Sequence, residues 1–112
     1  MKKDKDITKV IFRKFKDDNS VIAYFPELPG TNDFSTCLSY MHTGQHGSAS
    51  IDMSGTLKAS ESEYENLKDE LESIGYNLKV SYRFSGKDTD LRIKAITGMG
   101  GKDYYKSLGY IS

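Results

Sequence analysis

The sequence predicts an α+β fold, a two-layer sandwich in which an antiparallel sheet of four to five strands carries one amphipathic helix, at about residues 61–74, on one face. Three observations lead there. Segments rich in β-branched and aromatic residues stand on both sides of a single helical segment. That segment carries its own start and stop signals. No internal repeat or linker divides the 112 residues, so residues 1–112 are expected to form one domain around one core.

The elements follow in order. "ITKVIFRKF" (Ile7 to Phe15) and "VIAYF" (Val21 to Phe25) are β-rich and flank the turn formers "DDNS", the pattern of a hairpin. "PELPGTND" (Pro26 to Asp33) then interrupts regular structure, because each proline lacks an N–H and restricts the residue before it. In "FSTCLSYM" (Phe34 to Met41) partial alternation puts Cys37 and Ser39 on one side and Leu38 and Tyr40 on the other, a short strand. The following "HTGQHGSAS" reads as a polar, glycine-rich loop.

In "ASESEYENLKDELESIGY", Ser60 stands as N-cap with Glu63 three residues on, the capping-box spacing. Tyr64, Leu67, Leu71 and Ile74 recur at spacings of three, four and three and draw one apolar stripe. Glu61, Glu65, Asp69 and Glu72 make the rest of that surface acidic. Gly75 suits a left-handed C′ position, and Tyr76 can fold back onto the last turn. "NLKVSYRFS" then alternates strictly, with Leu78, Val80, Tyr82 and Phe84 inward. "LRIKAI" repeats the alternation, with Leu91, Ile93 and Ala95 inward, so the two are expected to pair as a second antiparallel hairpin. The tail "TGMGGKDYYKSLGYIS" could pack a short helix over the core edge.

Composition excludes several classes of function. No run of about 18 apolar residues exists, so no membrane span is expected, and "MKKDKDITKV" lacks the apolar stretch of an export signal. The lone Cys37 agrees with a reducing compartment, and a cytoplasmic location is expected. Net charge is zero, but seven Lys/Arg oppose two acids in residues 1–16, two oppose eleven in 17–76, and seven oppose three in 77–112. The ends are basic and the middle is acidic.

Two constellations stand out for function. The first is "SYMHTGQHGSAS", where His42, Gln45 and His46 gather donors and acceptors among glycines. Cys37, His42 and His46 form an alternative metal-ligand set, but Gly44 and Gly47 argue against the helix that would give the two histidines shared geometry, and no further ligand motif completes it. No metal or cofactor is expected. A nucleophilic site built from Cys37, Ser48 or Ser50 with His42 or His46 and Asp33 or Asp52 would need them to converge in the fold, and no nucleophile elbow occurs. "TGMGGKD" is not a phosphate loop, since Ile96 and Asp103 occupy positions that need Gly and Ser or Thr.

The second constellation is the outer face of the expected second hairpin, with Lys79, Arg83, Arg92 and Lys94, joined by Lys9 and Arg13 from the first strand. It could hold phosphates. Its aromatics point inward and the pI is near neutral, which disfavours nucleic acid without excluding it.

"VIFRKFKDDNSVIAYFPELP", "CLSYMHTGQHGSAS" and "SESEYENLKDELESIGYNLKV" resemble segments of a family of small proteins of gut bacteria and their phages. No activity is assigned to that family, so the resemblance implies a bacterial or phage cytoplasmic origin and carries over no catalytic residue. The functional expectation is a non-enzymatic binding or accessory protein for a host protein or a small anionic, nucleotide-like ligand. His42, Gln45, His46, Arg83, Arg92 and Lys94 are its expected contact residues, and a homo-oligomer is compatible with it. The alternative is a small enzyme or metal-binding protein using Cys37, His42 and His46.

Overall fold

The computed structural model describes residues 7–41 and 45–98. His42 and the tail after Gly98, for which a short helix was expected, lie outside the described residues. The chain forms β1 (Ile7–Phe15), β2 (Val21–Phe25), β3 (Thr36–Met41), β4 (Gln45–Ser50), β5 (Thr56–Lys58), α1 (Glu61–Ser73), β6 (Asn77–Ser81) and α2 (Gly86–Thr97). Among the described residues no helix is long and apolar enough to cross a membrane.

One sheet runs in the order β4-β3-β2-β1-β5, and β6 also pairs with β1. The expected first hairpin is present, with Ile11 opposite Tyr24 and Lys14 opposite Val21. Its turn is closed by Asn19 at φ 62° and by an Asp18 carboxylate that accepts from the Ser20 N–H at 2.9 Å. The far edge of β1 is shared. Its first half pairs with β6 in parallel, Lys9 beside Lys79, and its last half pairs with β5 antiparallel, Arg13 beside Lys58.

Strand alternation separates two clusters. Val10, Phe12, Ala23, Phe25 and Tyr40 pack under Tyr64, Leu67 and Leu71 of α1, and the Phe12 and Tyr64 rings stack at 4.3 Å. Ile11, Ile22, Tyr24 and Cys37 form the opposite face, covered by Met41, Ile51, Met53 and Phe84. Cys37 and Tyr40 therefore point to opposite sides, as their alternation in the sequence requires.

α1 starts and stops as its sequence dictates. Glu63 reaches back to accept from the Ser60 N–H at 2.8 Å. At the other end Gly75 takes φ +115°, its N–H donates to the Glu72 carbonyl, and the Tyr76 N–H donates to the Leu71 carbonyl, the paired bonds of a Schellman motif. Gly30 is required for a different reason. A Cβ there would lie 2.6 Å from both the Cys37 carbonyl oxygen and the Ser48 Cβ, so the β2–β3 loop can cross the sheet only without a side chain at this point.

Four expectations need correction. "HTGQHGSAS" is not all loop, since Gln45–Ser50 pair with β3 in full register, from Met41 opposite Gln45 to Thr36 opposite Ser50. "LRIKAI" is not a strand. It lies in α2, whose Ser85 N–H donates to the Asp88 carboxylate at 2.9 Å while the Ser85 hydroxyl accepts from the Asp88 N–H. The second hairpin therefore does not exist, and β6 instead adds in parallel to β1. Tyr82, expected inward, is 49% exposed, with the Lys58 ammonium 4.3 Å over its ring.

Candidate functional site

Alternation along β1 puts Val10 and Phe12 against α1 and leaves Ile7, Lys9 and Ile11 on the other face. Residues in parallel register share a side, so Lys79 and Ser81 stand beside Lys9 and Ile11. Beyond β6 the Phe84 ring meets Tyr24 edge-on at 6.0 Å, which fixes where the chain turns into α2. The first turn of α2 then lies against the lysine side of the sheet. Ile7, Lys9, Lys79, Val80, Ser81, Ser85, Lys87 and Asp88, with Glu27 from the β2–β3 loop, line a cavity of about 280 Å³.

Its floor is Asp88, 2% exposed. One carboxylate oxygen, Oδ2, accepts from the Lys9 ammonium at 2.6 Å and from the Ser85 N–H at 2.9 Å. The charge-assisted pair stabilises a carboxylate that burial would otherwise make costly. It also means that the start of α2 is capped from within the chain. Lys79 and Lys87 differ from Lys9. Both are exposed, and neither has a carboxylate partner among the described residues. Glu27 likewise forms no ion pair among the described residues.

Arg92 holds this end of the molecule together. It is 0% exposed, and its guanidinium donates to the Pro26 carbonyl at 2.5 Å, the Phe34 carbonyl at 3.0 Å and the Thr89 hydroxyl at 3.1 Å. Burial moves its pKa below the ordinary arginine value, opposed by Cys37 and Asp88 nearby. The two ends of the β2–β3 loop are thus tied to α2, which sets Glu27 on the lining of the cavity.

Comparison with protein-family models, curated proteins and solved structures returns no match. The site therefore rests on its own geometry.

The expected contact residues are not brought together. Arg92 is withdrawn from the surface, because the segment is a helix whose buried side it occupies. Lys94 is exposed on α2 and Arg83 is exposed in the turn before it. Arg13 is held by β5, donating to the Thr56 hydroxyl at 2.9 Å and the Thr56 carbonyl at 3.0 Å. Gln45 begins β4. His46, also on β4, is opposite Tyr40 and lies on the α1 side of the sheet, away from the lysines. Its Nε2 shares a 2.9 Å hydrogen bond with the Tyr76 hydroxyl, and its ring packs edge-on to Tyr40 at 4.7 Å. The Tyr40 hydroxyl donates to the Glu70 carboxylate, a bond that raises the Tyr40 pKa, with burial adding to it.

The metal set fails on the same alternation. Cys37 is buried in the cluster on one face and His46 stands on the other, so the two cannot meet on one ion. Among the described residues no group of three His, Cys, Asp or Glu side chains could hold a metal. Burial pushes the Cys37 thiol up to about 11, with the Arg92 charge opposing, so it is no ready nucleophile either. Sequence reasoning found Lys9 and Lys79 and missed Glu27, Lys87 and Asp88. The signal for the last two was present in "SGKD", where Ser85 and Asp88 have capping-box spacing.

Proposed function

We propose that this protein is a non-enzymatic binding module that holds a small anion between Lys79 and Lys87. The observation that carries the reading is that two lysines from different elements line one cavity without carboxylate partners among the described residues. Ammonium groups on the walls of a concave site concentrate positive potential, and an anion there displaces little beyond water. Among the described residues that line it there is no histidine or cysteine, so the arrangement suits retention of a ligand more than turnover.

Calorimetric titration with inorganic phosphate tests this. Wild type should bind, with affinity falling as salt rises, and a Lys79→Glu, Lys87→Glu double variant that keeps the wild-type circular dichroism spectrum should lose binding. Equal affinity in the two proteins would dismiss the reading.

A second reading, docking of a protein partner, is favoured by the open hollow lined by His46, Ile74, Gly75 and Tyr76 on the other side of the sheet. Ile74 is 54% exposed there, at the end of the otherwise acidic α1 surface. Such a partner would be recognised by binding that Ile74→Asp abolishes and the lysine variants leave intact.

A further inference from the structure

The cavity is not uniformly basic. Glu27 stands among the lysines as a carboxylate with no ion-pair partner among the described residues, although Lys79 and Lys87 line the same space. Asp88 lines it too, and both of its bonds, from Lys9 and from the Ser85 N–H, arrive at Oδ2. A simple anion would gain nothing from these two acids and would be repelled by Glu27. From this mixed lining we infer that the ligand is a small phosphomonoester that also carries an ammonium group, with its phosphate between Lys79 and Lys87 and its ammonium at Glu27.

The inference rests on the anion-site reading above and adds the identity of the second group. Charge sets the anion. A phosphomonoester carries about 1.5 to 2 negative charges at neutral pH, which suits two unpaired lysines better than the single charge of a carboxylate. Charge also sets the other end, because a carboxylate gains more from a charged donor than from a hydroxyl. Lys9 is already neutralised by Asp88, which leaves Glu27 as the acid available to a ligand. Ile7, on the same face as Lys9 and Lys79, supplies apolar wall, suited to a short carbon chain joining phosphate to ammonium; the Val80 side chain packs on the α1 side of the sheet, beside Val10. About 280 Å³ lies below the range of roughly 300–1,000 Å³ typical of larger organic ligands, so a dinucleotide does not fit and a metabolite of a few carbons does.

Four probes test the inference on the whole chain: inorganic phosphate, propyl phosphate, phosphoethanolamine and glycerol 3-phosphate. Propyl phosphate replaces the ammonium of phosphoethanolamine by a methyl group of similar size, so their ratio isolates the ammonium. Wild type should bind phosphoethanolamine about tenfold more tightly than propyl phosphate, with glycerol 3-phosphate between them. In Glu27→Gln the ratio should fall to within about twofold, and propyl phosphate should bind more tightly than it does to wild type because a repulsive charge has gone. A ratio near one in wild type, a preference that survives Glu27→Gln, or glycerol 3-phosphate equal to phosphoethanolamine would each overturn the role of Glu27. If inorganic phosphate still binds in a Lys79-dependent and Lys87-dependent way in those cases, the anion site stands and only the ammonium claim falls. If no probe binds wild type, both fall together.

Discussion

Replacing Arg92 with methionine should destabilise the protein by about 2–4 kcal/mol, although methionine restores most of the buried volume. The guanidinium supplies hydrogen bonds to the Pro26 and Phe34 carbonyls, and both lose them together. The buried Pro26 carbonyl left without this donor costs about 1–3 kcal/mol, the part-buried Phe34 carbonyl adds less, and the gain from burying a neutral side chain in place of a charge offsets part of the sum. Alanine adds the lost packing of the fully buried alkyl stem and should cost about 3–5 kcal/mol. Lysine keeps the charge but not the fork of donors, so it should fall between methionine and wild type. Urea unfolding followed by circular dichroism measures this, provided the slope of free energy against denaturant stays constant across the series. A methionine variant as stable as wild type would refute the reasoning, since it would mean that the two carbonyls do not depend on Arg92.

Other perturbations follow from the packing and the charges. Leu71→Ala removes a side chain that is fully buried between α1 and the sheet and should cost about 2–5 kcal/mol in the same assay; an unchanged midpoint would contradict the two-layer packing. Gly30→Ala should cost about 1–3 kcal/mol, because the added methyl meets the Cys37 carbonyl at 2.6 Å, and a neutral result would mean that the loop does not sit there. The Lys14 ammonium and the Ser60 N–H hold the Glu63 carboxyl down at about 2, against an ordinary 4.5. Its stabilising effect is therefore whole above pH 4.5 and lost as pH falls through about 2. In an NMR titration, Lys14→Ala should raise the Glu63 midpoint toward the ordinary value; an unmoved midpoint would exclude the pairing.

What was legible in the sequence is what neighbouring residues determine. The Asp18 turn, the Ser60 and Glu63 cap and the Gly75 stop all act within a few residues and stand as read, and of the expected stripe Tyr64, Leu67 and Leu71 are buried while Ile74, at the helix end, is 54% exposed. β4 was hidden because Gly47, Ser48 and Ser50 have little β propensity, and pairing with β3 makes the strand where side-chain preference does not. "LRIKAI" misled for a specific reason. Leu91, Ile93 and Ala95 alternate as a strand would, yet Asp88, Arg92 and Ile93 are the residues buried, at spacings of four and one, as a helix requires. The cap at Ser85 and the left-handed Gly98 that ends α2 distinguish the two. The cavity was half legible, since Lys9 and Lys79 come from segments correctly read as strands. Lys87 and Asp88 depend on the misread helix, and Glu27 depends on a loop whose path Arg92 sets from 66 residues away.

The most direct test of the anion site is an amide chemical-shift map of the ¹⁵N-labelled protein titrated with inorganic phosphate. The account predicts saturable shifts centred on Lys79, Ser81, Gly86 and Lys87, with His46 and Tyr76 unmoved on the far side of the sheet. Shifts centred on His46 and Tyr76, with the lysine cavity silent, would contradict it.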